Sequence, residues 1–230
     1  MKRRVSGAAV VALALATITG CGVHYPGGDT VSREFGSDHF AAGGLLNLTE
    51  TVDGDAVLLG GRVSTASEVK GDLVAVGGEV SVCGAAGDDL YAAGGNVQVD
   101  AIVHGNARVA GGDVTVGPAT LVAGALSLNG GRVTFEGSAQ DSLQATGGSV
   151  RIDGEVGGDV EVRAEELQIG PGTRIAGRLV YRGPLEPEVS EGAVIEGGVE
   201  FHEESVGRFL DNVGPQVRDA AHGVGTRAPS

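Results

Sequence analysis

Apolar and polar residues recur in fixed columns along this chain. Leu46, Val63, Val80, Val97, Val114, Val133, Val150 and Leu167 form an apolar column. The residues after them, Asn47, Ser64, Ser81, Gln98, Thr115, Thr134, Arg151 and Gln168, are all polar. The next, Leu48, Thr65, Val82, Val99, Val116, Phe135, Ile152 and Ile169, are apolar except Thr65. This in-out-in alternation predicts short strands with one buried face. A Gly-Gly pair precedes all but the last of these strands, starting at Gly43, Gly60, Gly77, Gly94 and Gly111, each 17 residues apart, then at Gly130 and Gly147. Two wider steps of 19 residues contain Gly117-Pro118 and Gly170-Pro171, dipeptides that favour turns.

Two more sides follow from the same alignment. Ahead of each corner run the columns Ala56, Leu73, Leu90, Ala107, Leu126, Leu143, Val160, Leu179, Val199 and Leu58, Ala75, Ala92, Val109, Leu128, Ala145, Val162, Tyr181, Phe201. A third side contributes Val52, Val69, Ala86, Val103, Val122, Ala139, Val156, Ile175 and Ile195. A chain that returns to the same apolar column on three sides reads as an all-β fold, a single parallel β-solenoid. About nine coils of 17 residues span 43–202. At a spacing of about 4.8 Å they make a rod roughly 43 Å long. The inward steps within one coil, Val80, Val82, Ala86, Leu90, Ala92 and Val97, are not sixes, which argues against left-handed hexapeptide solenoids and their acyl-transfer chemistry.

Composition agrees with this geometry. Glycine supplies 42 of the 230 residues, and half of those fall in the Gly-Gly pairs and one further corner column. Aromatics are only 3%, as a narrow bore requires. The net charge of −14 argues against nucleic acid as a partner. Two cysteines, Cys21 and Cys83, cannot build a disulfide framework.

The first residues read as an address. Lys2, Arg3 and Arg4 precede an apolar run, Ala8 to Ile18, too short to span a bilayer. Ile18-Thr19-Gly20-Cys21 resembles the lipobox of bacterial lipoproteins, which implies cleavage before Cys21 and attachment of diacylglycerol to its thiol. Cleavage would remove three basic residues and no acid, taking the charge from −14 to −17. At the other end, Glu203-Glu204-Ser205 precedes Val206, Phe209, Leu210 and Val213, an i, i+3, i+4, i+7 pattern stopped by Gly214-Pro215. The expected organisation is a signal peptide over 1–20, lipidated Cys21 with a linker or N-terminal cap over 21–42, the solenoid over 43–202, an amphipathic capping helix over 203–214 and a flexible tail over 215–230.

The repeated unit Gly-Asp-x-x-x-x-Gly-Gly-x-Val-x-Val, as in Gly71-Asp72 to Val82, and the stretch Gly147 to Val160 resemble bactofilins, the polymer-forming cytoskeletal proteins of bacteria. Gly170 to Tyr181 resembles the terminal coils of that family's exported relatives. The resemblance covers about residues 43–202. It implies a right-handed β-helix that joins end to end into filaments without nucleotide. Typical members are cytoplasmic, whereas this chain begins with an export signal.

Candidate chemistry is sparse. The column Asp55, Asp72, Asp89, Asn106, Ala125, Ser142, Asp159 suits either a Ca²⁺ ladder or Asp side chains capping their own turns, and its decay favours capping. Glu161 and Arg163 beside Arg178 are the nearest approach to a catalytic arrangement. The five histidines fall in unrelated columns, and no metal-ligand spacing, phosphate loop, cofactor motif or catalytic residue is expected. The sharpest anomaly is an apolar outer face on the first coils, Val57, Leu59, Val74, Val76, Tyr91 and Ala93, which either residues 22–42 or another molecule would cover. The functional expectation is a non-enzymatic envelope lipoprotein with a structural or scaffolding role, tethered to a membrane and self-associating or binding an envelope protein or glycan. A surface adhesin-like or glycan-binding module is the alternative, and a polysaccharide-active enzyme the distant third. Its place would be the outer membrane or periplasm of a Gram-negative cell, or the outer face of a Gram-positive membrane. No small-molecule substrate is expected.

Overall fold

A computed structural model describes residues 31–204. They contain strands and turns and no helix. Cys21, the signal segment and the residues expected to cap the far end, Val206, Phe209, Leu210 and Val213, lie outside the described residues.

A hairpin opens the described chain, β1 (Val31–Phe35) and β2 (Asp38–Leu48). Three long strands follow, β3 (Ala56–Val69), β4 (Leu73–Ala86) and β5 (Leu90–Val103). From there each coil divides into a long strand and a two-residue one: β6 (Ala107–Val116) and β7 (Leu121–Val122), β8 (Leu126–Phe135) and β9 (Ser138–Ala139), β10 (Leu143–Ile152) and β11 (Glu155–Val156), β12 (Val160–Ile169) and β13 (Arg174–Ile175). The last turns carry β14 (Leu179–Gly183), β15 (Glu188–Val189), β16 (Val194–Ile195) and β17 (Val199–Glu203). Apart from β1, every strand pairs in parallel with its equivalent one coil away, so that Ala56 faces Leu73 and Leu73 faces Leu90. The result is a parallel β-solenoid of about ten turns.

The register follows the columns read from the sequence. It advances by 17 residues between β3 and β4, by 19 where Ala107 faces Leu126 and Val160 faces Leu179, and by 20 where Leu179 faces Val199. The inward columns fill one continuous core, from Leu46 and Leu58 at one end to Ile175 and Tyr181 at the other. Only their final members, Val199, Phe201 and Ile195, escape full burial, because no described coil lies beyond them.

The ladder starts earlier than the Gly-Gly pattern indicates. His39 and Ala41, in the segment 21–42, already face Ala56 and Leu58. Gly36, at φ +69°, and Ser37 then reverse the chain, so that β1 pairs antiparallel with the first half of β2.

Buried polar side chains sit where the apolar columns break. Thr65, fully buried, donates its hydroxyl to the Cys83 carbonyl at 3.3 Å. Both Gly-Pro insertions end in a buried threonine. Thr120 Oγ1 donates to Val99 O at 2.7 Å, and Thr173 Oγ1 to Ile152 O at 2.8 Å. The two extra residues thus fold into a turn whose threonine re-enters the core with its hydroxyl satisfied.

The glycines answer to close backbone approach. A Cβ on Gly77 would lie 2.7 Å from Gly60 O, and one on Gly94 2.7 Å from Gly77 O. Neither has a positive φ. Stacked corners bring each carbonyl against the next glycine, and any side chain there would force the coils apart.

Candidate functional site

The Asp column is a set of coil-to-coil caps. Asp55 N donates to Asp38 Oδ1 at 3.1 Å, Asp72 N to Asp55 Oδ1 at 2.9 Å, Asp89 N to Asp72 Oδ1 at 2.9 Å and Asn106 N to Asp89 Oδ1 at 2.8 Å. Ala125 N donates to Asn106 Oδ1 at 3.1 Å, and Arg178 N to Asp159 Oδ1 at 2.8 Å. The glycine of each Gly-Asp unit makes room for this. The Oδ1 of Asp55 occupies the space a Cβ on Gly71 would need, and Asp89 does the same at Gly105. One Gly-Asp unit therefore receives a carboxylate from the coil before and hands one to the coil after. Among the described residues no group of three or more His, Cys, Asp and Glu is placed to hold a metal ion.

Electrostatics within the column is uneven. Asp72 has its pKa raised, first by burial and then by Asp55, Asp89 and Asp88, against the backbone N–H of Asp89, which lowers it. Asp159 is held below the usual carboxylate range, chiefly by the Arg178 backbone N–H and then by the Arg178 charge. Other charges also reach across coils. Arg62 meets Glu79 at 2.6 Å, Lys70 meets Asp53 at 2.6 Å and Arg132 meets Asp113 at 2.9 Å. Glu161 is held by Arg182 and lies 3.6 Å from Arg163, while Arg178 turns to Asp159 and Glu200. These residues are paired rather than converging on an open site.

The apolar outer face is continuous but not uniformly open. Phe40, Val57, Val74, Tyr91 and Arg108 follow one another in register, as do Ala42, Leu59, Val76, Ala93 and Ala110. Val57 and Val74, expected to be exposed, are only 6% and 4% accessible. Leu59, Val76, Tyr91 and Ala93 are half-buried. Neighbouring outward side chains on adjacent strands shield one another. Tyr91 closes the face. Its hydroxyl donates to Asp89 Oδ2 at 3.2 Å and accepts from Arg108 at 3.3 Å, and the Arg108 guanidinium lies 5.5 Å from the ring centroid. Burial first, then Asp89, raises the Tyr91 pKa. At the other end the face continues into the hairpin, through Phe40, Phe35 and Val31. Residues 31–42 thus extend this face; they do not lie over it.

The sequence columns missed two further features. On the third side, Ile102 and Leu121 are adjacent in register and both exposed. Beyond them lies a shallow groove of about 370 Å³, lined by Ser138, Gln140, Glu155, Arg174 and Glu196 among others. Only one inward column marks this side, as Ala139 does between Ser138 and Gln140, so the sequence pattern does not announce its outer face. Cys83 is half-buried with a free thiol, between Ala66 and Asp100 in register.

The two ends differ. At the first coil a cavity of about 410 Å³ opens into the bore, lined by Ser32, His39, Ala41, Leu46 and Leu58 among others. β1 covers one side of that end. At the last coil, β15, β16 and β17 have no described strand beyond them. Val189, Val194 and Val199 are exposed there, and Phe201 stacks on Tyr181 at 5.5 Å.

No protein-family model, curated protein or solved structure matches this chain.

Proposed function

We propose that this chain is a lipid-anchored scaffold of the cell envelope whose β-helix associates end to end. Cys21 carries the anchor, and the resemblance of Gly147 to Val160 to bactofilins gives the mode of association. One observation carries the reading: among the described residues the last coil presents three strands paired only on their inner side, with apolar side chains among them, an edge that another β-coil can continue. The side chains support it. Polar groups along the rod bond to the coil before or after, as Asp72, Arg62, Lys70 and Arg132 do, which serves stacking rather than turnover. Negative-stain microscopy of the delipidated protein tests the proposal. Filaments or lengthened rods support it, and uniform short rods at every concentration refute it.

A glycan-binding module is the second reading. The groove along Ser138, Glu155 and Arg174 favours it, since its polar groups repeat along the rod as sugars do along a chain. A glycan screen with an Arg174→Ala and Glu155→Ala control decides it.

A further inference from the structure

We infer that the N-terminal hairpin is a bilayer-contacting surface, which Val31, Phe35 and Phe40 press against the lipid that holds the chain. The inference rests on the reading of Cys21 as the anchor, and adds that the rod itself touches the membrane.

Strand alternation puts Val31, Arg33 and Phe35 on one face of β1. Ser32, on the other face, lines the bore cavity with His39 and Ala41, so the Phe35 side points outward. Val31 is 48% accessible, Phe35 62% and Phe40 37%, far above Val57 and Val74 on the same face. The two rings meet edge to face at 5.8 Å. A pair of phenylalanines this open on an edge hairpin adds nothing to the core.

Position selects the occupant. The ten residues from Cys21 to Val31 reach at most roughly 36 Å when fully extended. An anchor at Cys21 therefore keeps this hairpin close to the bilayer, so an apolar phase is always within its reach. Aromatic rings and a nearby arginine suit the interfacial zone, and apolar area beside a lipid chain adds a second attachment to the first. The acidic corner Asp38, Asp55, Asp72, Asp89 runs beside the same face, which favours zwitterionic over anionic headgroups.

The chain has no tryptophan, so Phe35→Trp introduces a single indole that can be excited apart from the three tyrosines. In the chain beginning at Cys21 and carrying Cys83→Ser, Cys21 is the only thiol and can be coupled to maleimide lipid in phosphatidylcholine vesicles. The expected result is a blue shift of Phe35→Trp and loss of most of its emission when the acyl chains are brominated. Leu121→Trp, exposed on the third side, should show neither. Equal emission of the two variants overturns the inference. So does a Phe35→Trp signal already blue-shifted without vesicles, which means the chain covers its own hairpin. A shift that follows protein density and ignores bromine also overturns it, since a second copy is then the occupant. The mass of the wild-type chain isolated from membranes tests the anchor separately, because chemical coupling does not depend on cellular lipidation.

Discussion

Asp72 shows how one side chain links coils. Its Oδ1 accepts the Asp89 N–H, yet burial first and then three neighbouring carboxylates disfavour its charge. Asn106 performs the same cap without a charge. Asp72→Asn should therefore leave stability at neutral pH unchanged or slightly raised, whereas Asp72→Ala should cost about 1 kcal/mol by orphaning the amide. Urea denaturation of both variants checks this. The pH dependence has opposite signs at two sites. Because the folded pKa of Asp72 is raised, its cost is fully present above that value and disappears as pH falls from there to the unfolded value of about 3.9. Because that of Asp159 is lowered, its stabilisation is present above the unfolded value and is lost as pH falls through the folded one. Asp159→Asn should accordingly flatten the acid limb of the stability curve, and Asp72→Asn should steepen the net loss on acidification. Titrating thermal unfolding between neutral pH and strong acid separates the two. The motif Gly-Asp is visible in the sequence, but its direction is not: only the folded chain shows the carboxylate reaching forward under the next coil's glycine.

At the scale of the strand, the corner glycines and the Gly-Pro turns set the register. Gly77→Ala places a methyl 2.7 Å from a backbone carbonyl that has no flexible end to move. It should destabilise by roughly 1–3 kcal/mol, as overpacking does. Thr173→Val removes a buried hydroxyl that donates to Ile152 O beside the Gly170 N–H, and should cost about 1 kcal/mol. By contrast, Arg62→Ala breaks an exposed pair and should change stability by less than about 0.5 kcal/mol. Calorimetric midpoints of the three rank these expectations. Of these elements, the strands and insertions were legible as columns and as two shifts of register. Thr65 was legible only as an exception, and its hydrogen bond explains why the exception is tolerated. The start of the ladder is not legible in the sequence, because His39 and Ala41 precede the first Gly-Gly pair that marks the repeat.

For the whole molecule, the contrast between ends matters most. One end carries an antiparallel strand over part of its edge, and the other leaves β15, β16 and β17 open among the described residues. If assembly runs through the open end, Val199→Lys should shorten the assemblies seen by microscopy or light scattering, while Val31→Lys at the hairpin should alter them less. Equal lengths for Val199→Lys and the unaltered chain would place the contact elsewhere.

The sequence alone determined the solenoid, its period and its inward residues, because a core that repeats along one axis writes the same apolar column into every coil. It also located the Gly-Asp and Gly-Gly corners. Tertiary structure decided what those corners do: the Gly-Gly backbones lie too close for a Cβ, and each carboxylate caps an amide one coil on. It also decided that Val57 and Val74 are shielded while Phe35 is open. Periodicity reports which residues are neighbours, but accessibility depends on what stands beside and beyond them, and at the ends of a rod that is no longer the repeat.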